Sequence, residues 1–154
     1  MKQYKKITIV GQSGTGRSAM AEAIMKEYTF KNPVDIQCRG IVVLFPEPMN
    51  QKAEAVLISN GINVEEHMSV QLTEEDFSPD NLVLVMEEAQ QNKILESYEN
   101  AQNVHVLTHL VGDELEIMDP YGGNLQAYGL CYETMNKSIK KLVEQINEEG
   151  REDE

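Results

Sequence analysis

Cysteine, histidine and arginine are all scarce in this chain of 154 residues, and each scarcity excludes a class of function. The two cysteines, Cys38 and Cys131, stand alone, without the close pairing of a metal or redox motif. Two lone thiols suit a reducing interior rather than a secreted disulfide scaffold. The three histidines, His67, His105 and His109, lack ligand spacing, so no metal and no cofactor are expected. No apolar stretch approaches the length of a membrane span, and Ile7 to Val10 is too short for a signal-peptide core. The expected location is therefore the cytoplasm, with no membrane partner. Arginine occurs only at Arg17, Arg39 and Arg151, and Lys93 is the only lysine or arginine between Ala53 and Asn136. With 26 acidic against 13 basic residues the formal charge is −13, which repels nucleic acid.

What the chain does have is an alternation of strand and helix signals. "KKITIV" is a β-branched run ending at Gly11. A helix follows from about Arg17, with Met20, Ile24 and Tyr28 recurring every fourth residue beside Ala21 and Met25. "VDIQCRG" reads as a second strand, and Ala53, Val56 and Leu57 mark a second helix that Asn60-Gly61 stops. "NLVLVM" has the continuous apolar character of a strand covered on both faces. Ile94, Leu95 and Tyr98 mark the next helix, and "NVHVLT" a fourth strand. A long last helix starts near Asn124, its buried stripe running through Tyr128, Cys131, Tyr132, Met135, Ile139, Leu142 and Ile146. Thr73 to Asp76 reads as a capping box, and most of the eight methionines fall on helical stripes as core filler. The expected fold is an α/β three-layer sandwich around a four-stranded parallel sheet, flavodoxin-like, with right-handed crossovers. Residues 1–147 form one domain on this reading, and 148–154 an acidic disordered tail. In such folds ligands bind at the carboxyl ends of the strands.

At the end of the first strand lies "GQSGTGRS", Gly11 to Ser18. Three glycines between a strand and a helix let the backbone approach a ligand, and successive amides can turn inward as an anion nest. The helix start adds the positive end of its dipole. Arg17 contributes a planar, permanently charged fork suited to phosphate oxygens, and Ser18 a hydroxyl. The competing bland reading is a glycine-rich turn, but turning does not need an Arg-Ser pair. The loop also matches the nucleotide-binding pattern G-x-x-x-x-G-K-[ST], with Arg17 in place of lysine. Glu87 and Glu88 at the end of an apolar strand would then be the acids that support magnesium. The shortage of further cations speaks against a phosphoryl-transfer clamp.

Four further segments complete a pattern. They are "RSAMAEAI", His67 at the head of "HMSVQLTEEDF", "NLVLVMEEAQQNKILESY" and "DPYGG" at Asp119 to Gly123. In this order the chain resembles the low-molecular-weight protein tyrosine phosphatase family from about Ile7 to about Ile146. That family's loop reads Cys-x-Gly-Asn-x-Cys-Arg-Ser. Its first cysteine attacks phosphorus, its arginine binds the equatorial oxygens, its serine supports the thiolate, and an Asp-Pro supplies the general acid. The resemblance implies that Arg17 is the oxygen-binding arginine, Ser18 the supporting serine and Asp119 the acid. It makes Tyr121, and more loosely Phe45, pocket walls. Gly11, Gln12, Ser13, Gly14, Thr15, Gly16, Arg17 and Ser18 would form the phosphate loop.

The nucleophile position is Gly11, which has no side chain and cannot form a phosphoenzyme. Several loop positions differ from the family pattern together, because Ser13, Gly14 and Gly16 replace its glycine, asparagine and second cysteine. Gly14 is a physical equivalent of asparagine, since both accept the left-handed conformation. The implied protein is a divergent, catalytically disabled phosphatase that retains binding of phosphate, sulfate or phosphotyrosine. Losing the nucleophile costs on the order of four to six powers of ten in rate. Losing a thiolate also removes repulsion of an incoming dianion, roughly a few kcal/mol at intermediate dielectric. The acidic surroundings favour a basic phosphorylated partner. The other readings are the nucleotide loop, an interaction module with a relic loop, and an arsenate reductase of related fold, which also needs the missing cysteine. His67 is expected to pack the turn after the second helix, His105 to be structural, and His109 to lack a carboxylate partner.

Overall fold

The computed structural model describes residues 2–64 and 66–152. Four strands, β1 (Lys6–Gly11), β2 (Asp35–Gly40), β3 (Asn81–Val85) and β4 (Val104–Val106), form one sheet in the order β2-β1-β3-β4. Every pairing is parallel, with Ile9 opposite Cys38 on one side and Leu84 on the other. Between the strands run α1 (Arg17–Met25), α2 (Gln51–Ser59) and α3 (Glu88–Ser97), followed by the short α4 (Leu107–Leu110) and the long α5 (Leu125–Glu152).

The alternation of side chains along β1 explains the three layers. Ile7 and Ile9 point to one face, where they join Met20, Ile24, Leu57, Met135, Ile139 and Leu142 from α1, α2 and α5. Val10 points to the other face and packs with Val83, Val85, Val104, Val106 and Ile94 of α3. Both faces are covered, which is why β3 is apolar at every position but its first and buried throughout. The helix ends are chemically specified. The Asn50 Oδ1 accepts from the Lys52 and Ala53 amides at 2.9 and 3.1 Å and caps α2. Asn124 caps α5 in the same way through the Ala127 amide. Gly61, at φ 78°, ends α2 in the left-handed conformation. Thr73 and Asp76 form the capping box of a short 3₁₀ turn.

Three details differ from the sequence reading. Leu95 is half exposed, and Ile94 alone of that pair faces the core, because α3 lies against the edge half of the sheet. The segment read as a fourth strand through Thr108 is a strand only to Val106. Its pairing with β3 ends at Val85, and the chain then coils into α4. The backbone of α5 continues past residue 147 as far as Glu152, while 153–154 lie outside the described residues. A polar ladder also crosses the sheet, where the sequence pattern showed none. The buried Thr8 hydroxyl donates to Asn81 Oδ1 at 3.0 Å and accepts from Gln37 Nε2 at 2.8 Å. The Asn81 amide in turn donates to the Asp76 carbonyl.

Thr8→Val preserves shape and adds apolar surface, yet it leaves the Asn81 Oδ1 without its hydroxyl donor and Gln37 Nε2 with only its longer contact to Asp76. It is expected to lower stability by about 1–3 kcal/mol, measured by denaturant unfolding.

Candidate anion-binding site

The Gly11–Gly16 turn lies where β1 hands over to α1, between neighbouring strands whose connections leave in opposite directions. Its shape is held from outside. The amides of Ile41 and Val42 donate to the carbonyls of Gly11 and Gln12 at 2.9 and 3.0 Å. The Asn50 amide donates to the Thr15 carbonyl at 2.9 Å, and the Met20 amide to that of Gly16 at 3.0 Å. The Gly14 carbonyl meets His67 Nε2 at 2.8 Å and the Cys38 thiol at 3.7 Å. With these carbonyls bonded outward, the N–H groups from Gln12 to Ser18 donate to no protein acceptor among the described residues. That is the arrangement of an anion nest. Gly14 is at a φ of 74°, where glycine is favoured, and a Cβ there would make a tight 3.2 Å contact with the Gly40 amide nitrogen. Gly40 is a second close approach: a Cβ on it would lie 2.7 Å from the Ser13 backbone.

Arg17 is buried at the floor, only 8 % exposed. Its Nη1 donates to the Ile117 carbonyl at 2.6 Å and its Nη2 to Glu87 Oε2 at 2.5 Å, while Asp119 Oδ2 stands 3.7 Å away. Glu87 at the end of β3 is therefore the orienting partner of the arginine. This corrects its reading as a magnesium-supporting acid, and the nucleotide-loop alternative loses that support. A cavity of about 370 Å³ opens above, lined by the 11–18 loop, Asp119, Pro120, Tyr121, Tyr128, Glu47 and Asn50. Tyr121 stands at its mouth. Phe45 does not line it: the side chain is 64 % exposed, and Glu47 of the same segment takes the wall position.

Position 11, where the resemblance leads one to expect a nucleophile, carries no side chain, and a specific group would crowd one. A Cβ on Gly11 would lie 2.5 Å from Ser18 Oγ and 3.0 Å from Ser18 Cβ. The Ser18 hydroxyl is buried and has no conventional hydrogen-bond partner among the described residues, and it faces the weakly accepting Cys38 sulfur. Neither of the two cysteines offers a ready thiolate. Burial pushes Cys38 up to about 12 and Cys131 up to about 11, so neither supplies a thiolate near neutrality. The Ser13 hydroxyl shares a 2.7 Å hydrogen bond with Thr15 on the exposed rim.

A search by family profile matches residues 6–152 to the low molecular weight phosphotyrosine protein phosphatase family. The chain belongs to that family. It is 30% identical to the probable low molecular weight protein-tyrosine-phosphatase EpsP of Ralstonia nicotianae, over 95% of this chain and 99% of that one. It is also 30% identical to the low molecular weight protein-tyrosine-phosphatase PtpB of Staphylococcus aureus, over 92% and 99%. Among solved structures, the YwlE arginine phosphatase of Geobacillus stearothermophilus superposes with a TM-score of 0.87 at 27% identity, over 96% of each chain. The low molecular weight protein tyrosine phosphatase of T. tengcongensis gives 0.83 at 28%, over 91% and 98%. The flavodoxin-like α/β fold read from the sequence is thus the fold of the family.

Two histidines differ from expectation. His109 does approach a carboxylate, Glu116, though only at 4.0 Å on the surface. His67 reaches back to the loop: Nε2 faces the Gly14 carbonyl, and Nδ1 faces Glu22 Oε1 of α1 at 3.6 Å. Both ring nitrogens face acceptors, which favours the imidazolium. Glu22 raises the pKa of His67 most, burial opposes it, and the Gly14 carbonyl adds to the rise. Burial alone would raise Glu22, but His67 and Lys26 together bring it below its ordinary value. The stabilisation from His67 is complete below the ordinary imidazole value of 6.5 and is lost as pH rises through the raised one. That from Glu22 is present above 4.5 and is lost as pH falls through its lowered value. The stability difference between the native chain and His67→Gln is therefore expected to shrink as pH rises above the ordinary imidazole value of 6.5, with the Gly14 and Thr15 amide resonances following the same titration.

Proposed function

We propose that this member of the family is a catalytically disabled phosphatase that binds a phosphate-bearing ligand in the Gly11–Ser18 loop. The observation that carries the reading is the pairing of a glycine at the nucleophile position with a loop whose free amides and buried arginine are kept in place. Phosphate oxygens would take the N–H groups of Gln12 to Ser18 and the remaining donors of Arg17. Tyr121 at the mouth would flank an aryl group, and Glu47 and Asp119 favour a basic partner over an acidic one. Without a nucleophile the Asp119 carboxyl has no leaving group to protonate, and its charge then acts only against the incoming anion.

A relic loop is the competing reading. One observation favours it: Arg17 already has Glu87 and Asp119 for company, so the floor carries two negative charges against one positive. Nuclear magnetic resonance separates the two. Shifts of the Gly11 to Ser18 amides on adding inorganic phosphate or phosphotyrosine support the cradle, and unchanged spectra support the relic.

The assay with p-nitrophenyl phosphate tests the loss of catalysis. Native turnover is expected roughly four to six powers of ten below that of an intact family enzyme. Gly11→Cys is expected to raise it by at least about two powers of ten, provided Ser18 rotates out of the way of the new Cβ. Native turnover at ordinary family rates would refute the reading. Asp119→Asn would cripple an enzyme that needs its acid; here it is expected to tighten phosphate binding by roughly threefold to tenfold at low salt, the gain being limited by the exposure of that carboxylate.

A further inference from the structure

We infer that the rim of the cavity is a docking surface for an unphosphorylated basic segment of a partner protein, one that interleaves lysine or arginine with apolar side chains. The inference stands apart from phosphate binding, because the residues that carry it lie outside the loop. The four most exposed large apolar side chains among the described residues are Leu44, Leu115, Met118 and Tyr121, each more than four-fifths exposed. They stand on two segments, 44–47 and 113–125, that reach the same cavity through Glu47 and through Asp119 to Tyr121. Phe45 and Leu125, both more than half exposed, belong to the same segments. Exposed apolar side chains scattered singly need no explanation, but the most exposed ones gathered around one opening mark an interaction surface.

The second segment is fastened at several points. Ile117 is buried, and its carbonyl accepts from Arg17 at 2.6 Å. Asp113 accepts from the Ser138 hydroxyl at 2.8 Å and from Lys141 at 2.5 Å. Glu116 Oε2 accepts from the Glu88 amide at 2.6 Å. With Ile117 turned inward, Leu115 and Met118 are left in solvent. A surface already ordered loses little entropy when a partner seats on it. Charge names the partner. Glu47, Glu114, Glu116 and Asp119 lie on the same two segments as the apolar groups, and residues 113–125 contain no lysine or arginine. Lys52 approaches from α2, but it is bonded to the Gly123 carbonyl at 2.6 Å. A basic segment meets opposite charge beside each apolar contact. A second copy of this chain would bring its own acidic rim against this one, and an anionic membrane would be repelled in the same way.

Fluorescence anisotropy on the full chain, with a labelled amphipathic peptide of lysine and leucine that carries no phosphate, tests this. The peptide is expected to bind at roughly micromolar concentration. Peptides with glutamate in place of lysine, or serine in place of leucine, are expected to bind at least about tenfold more weakly. On the protein, Leu115→Ser combined with Met118→Ser is expected to weaken binding by roughly tenfold or more. Ile58→Ser changes an exposed apolar group near the far end of α2 and is expected to stay within about twofold. Leu44→Ser carries the test if thermal melting shows the double variant unfolded. No binding of the lysine–leucine peptide, equal losses in the rim and Ile58 variants, no loss at the rim, or full binding of the serine peptide would overturn the inference. So would a native chain that sediments as a dimer dispersed by the double variant, or binding to phosphatidylserine vesicles that the double variant abolishes. The rim would then belong to a second copy or to a membrane. Because the peptide lacks phosphate, failure of the anion cradle leaves this result standing, and failure here leaves the cradle.

Discussion

The burial of one guanidinium organises the loop end of the sheet. Arg17 begins α1, and from there it reaches the Ile117 carbonyl, the Glu87 carboxylate at the end of β3, and the neighbourhood of Asp119. A buried arginine without partners would be prohibitively costly, so these contacts are a condition of its burial. They also draw the Asp119–Gly123 segment over the loop and fix where the cavity lies. Glu87 holds the arginine as an oriented fork. The same contact spends part of its positive charge, and an incoming anion competes with the carboxylates that position it.

The loop keeps its shape for reasons unconnected with a nucleophile. Its carbonyls are anchored by amides of the segment after β2, by the start of α2 and by His67, and its tightest points are Gly14 against Gly40. None of these contacts involves a side chain at position 11. The shape of the nest therefore does not depend on what position 11 carries beyond its backbone. What position 11 does control is the rotamer of Ser18, whose hydroxyl stands where a Cβ would crowd it.

Much of this was legible in the sequence, and the limits follow from physics. Periodicity revealed β1, β3 and α5 because one strand face or helix stripe is buried along its whole length, and capping chemistry at Asn124 and Gly61 marked the ends. The loop was legible because its glycines and Arg-Ser pair are contiguous. What escaped depends on contacts between distant segments. His67 meets Gly14 from 53 residues away, Glu87 meets Arg17 from 70, and Glu47 displaces Phe45 from the wall only because of how the segment after β2 folds. The Gln37–Thr8–Asn81 ladder was equally invisible, since a threonine within an apolar strand carries no mark of its partners. Gly40 left a faint signal, a glycine at the end of a strand, which is a common sign of close backbone approach.

The charge distribution narrows what this site can retain. A net charge of −13 with Glu47, Glu87 and Asp119 around one arginine repels acidic ligands at long range. Binding of a dianion there has to come from short-range donors, which act over a few ångströms and are not screened by salt as surface charges are. The free amides of Gln12 to Ser18 are such donors. On the proposed reading, a small anion would reach these amides with less repulsion than an acidic phosphopeptide. On that reading, the acidic surface would therefore select against acidic macromolecules more strongly than against a compact oxyanion.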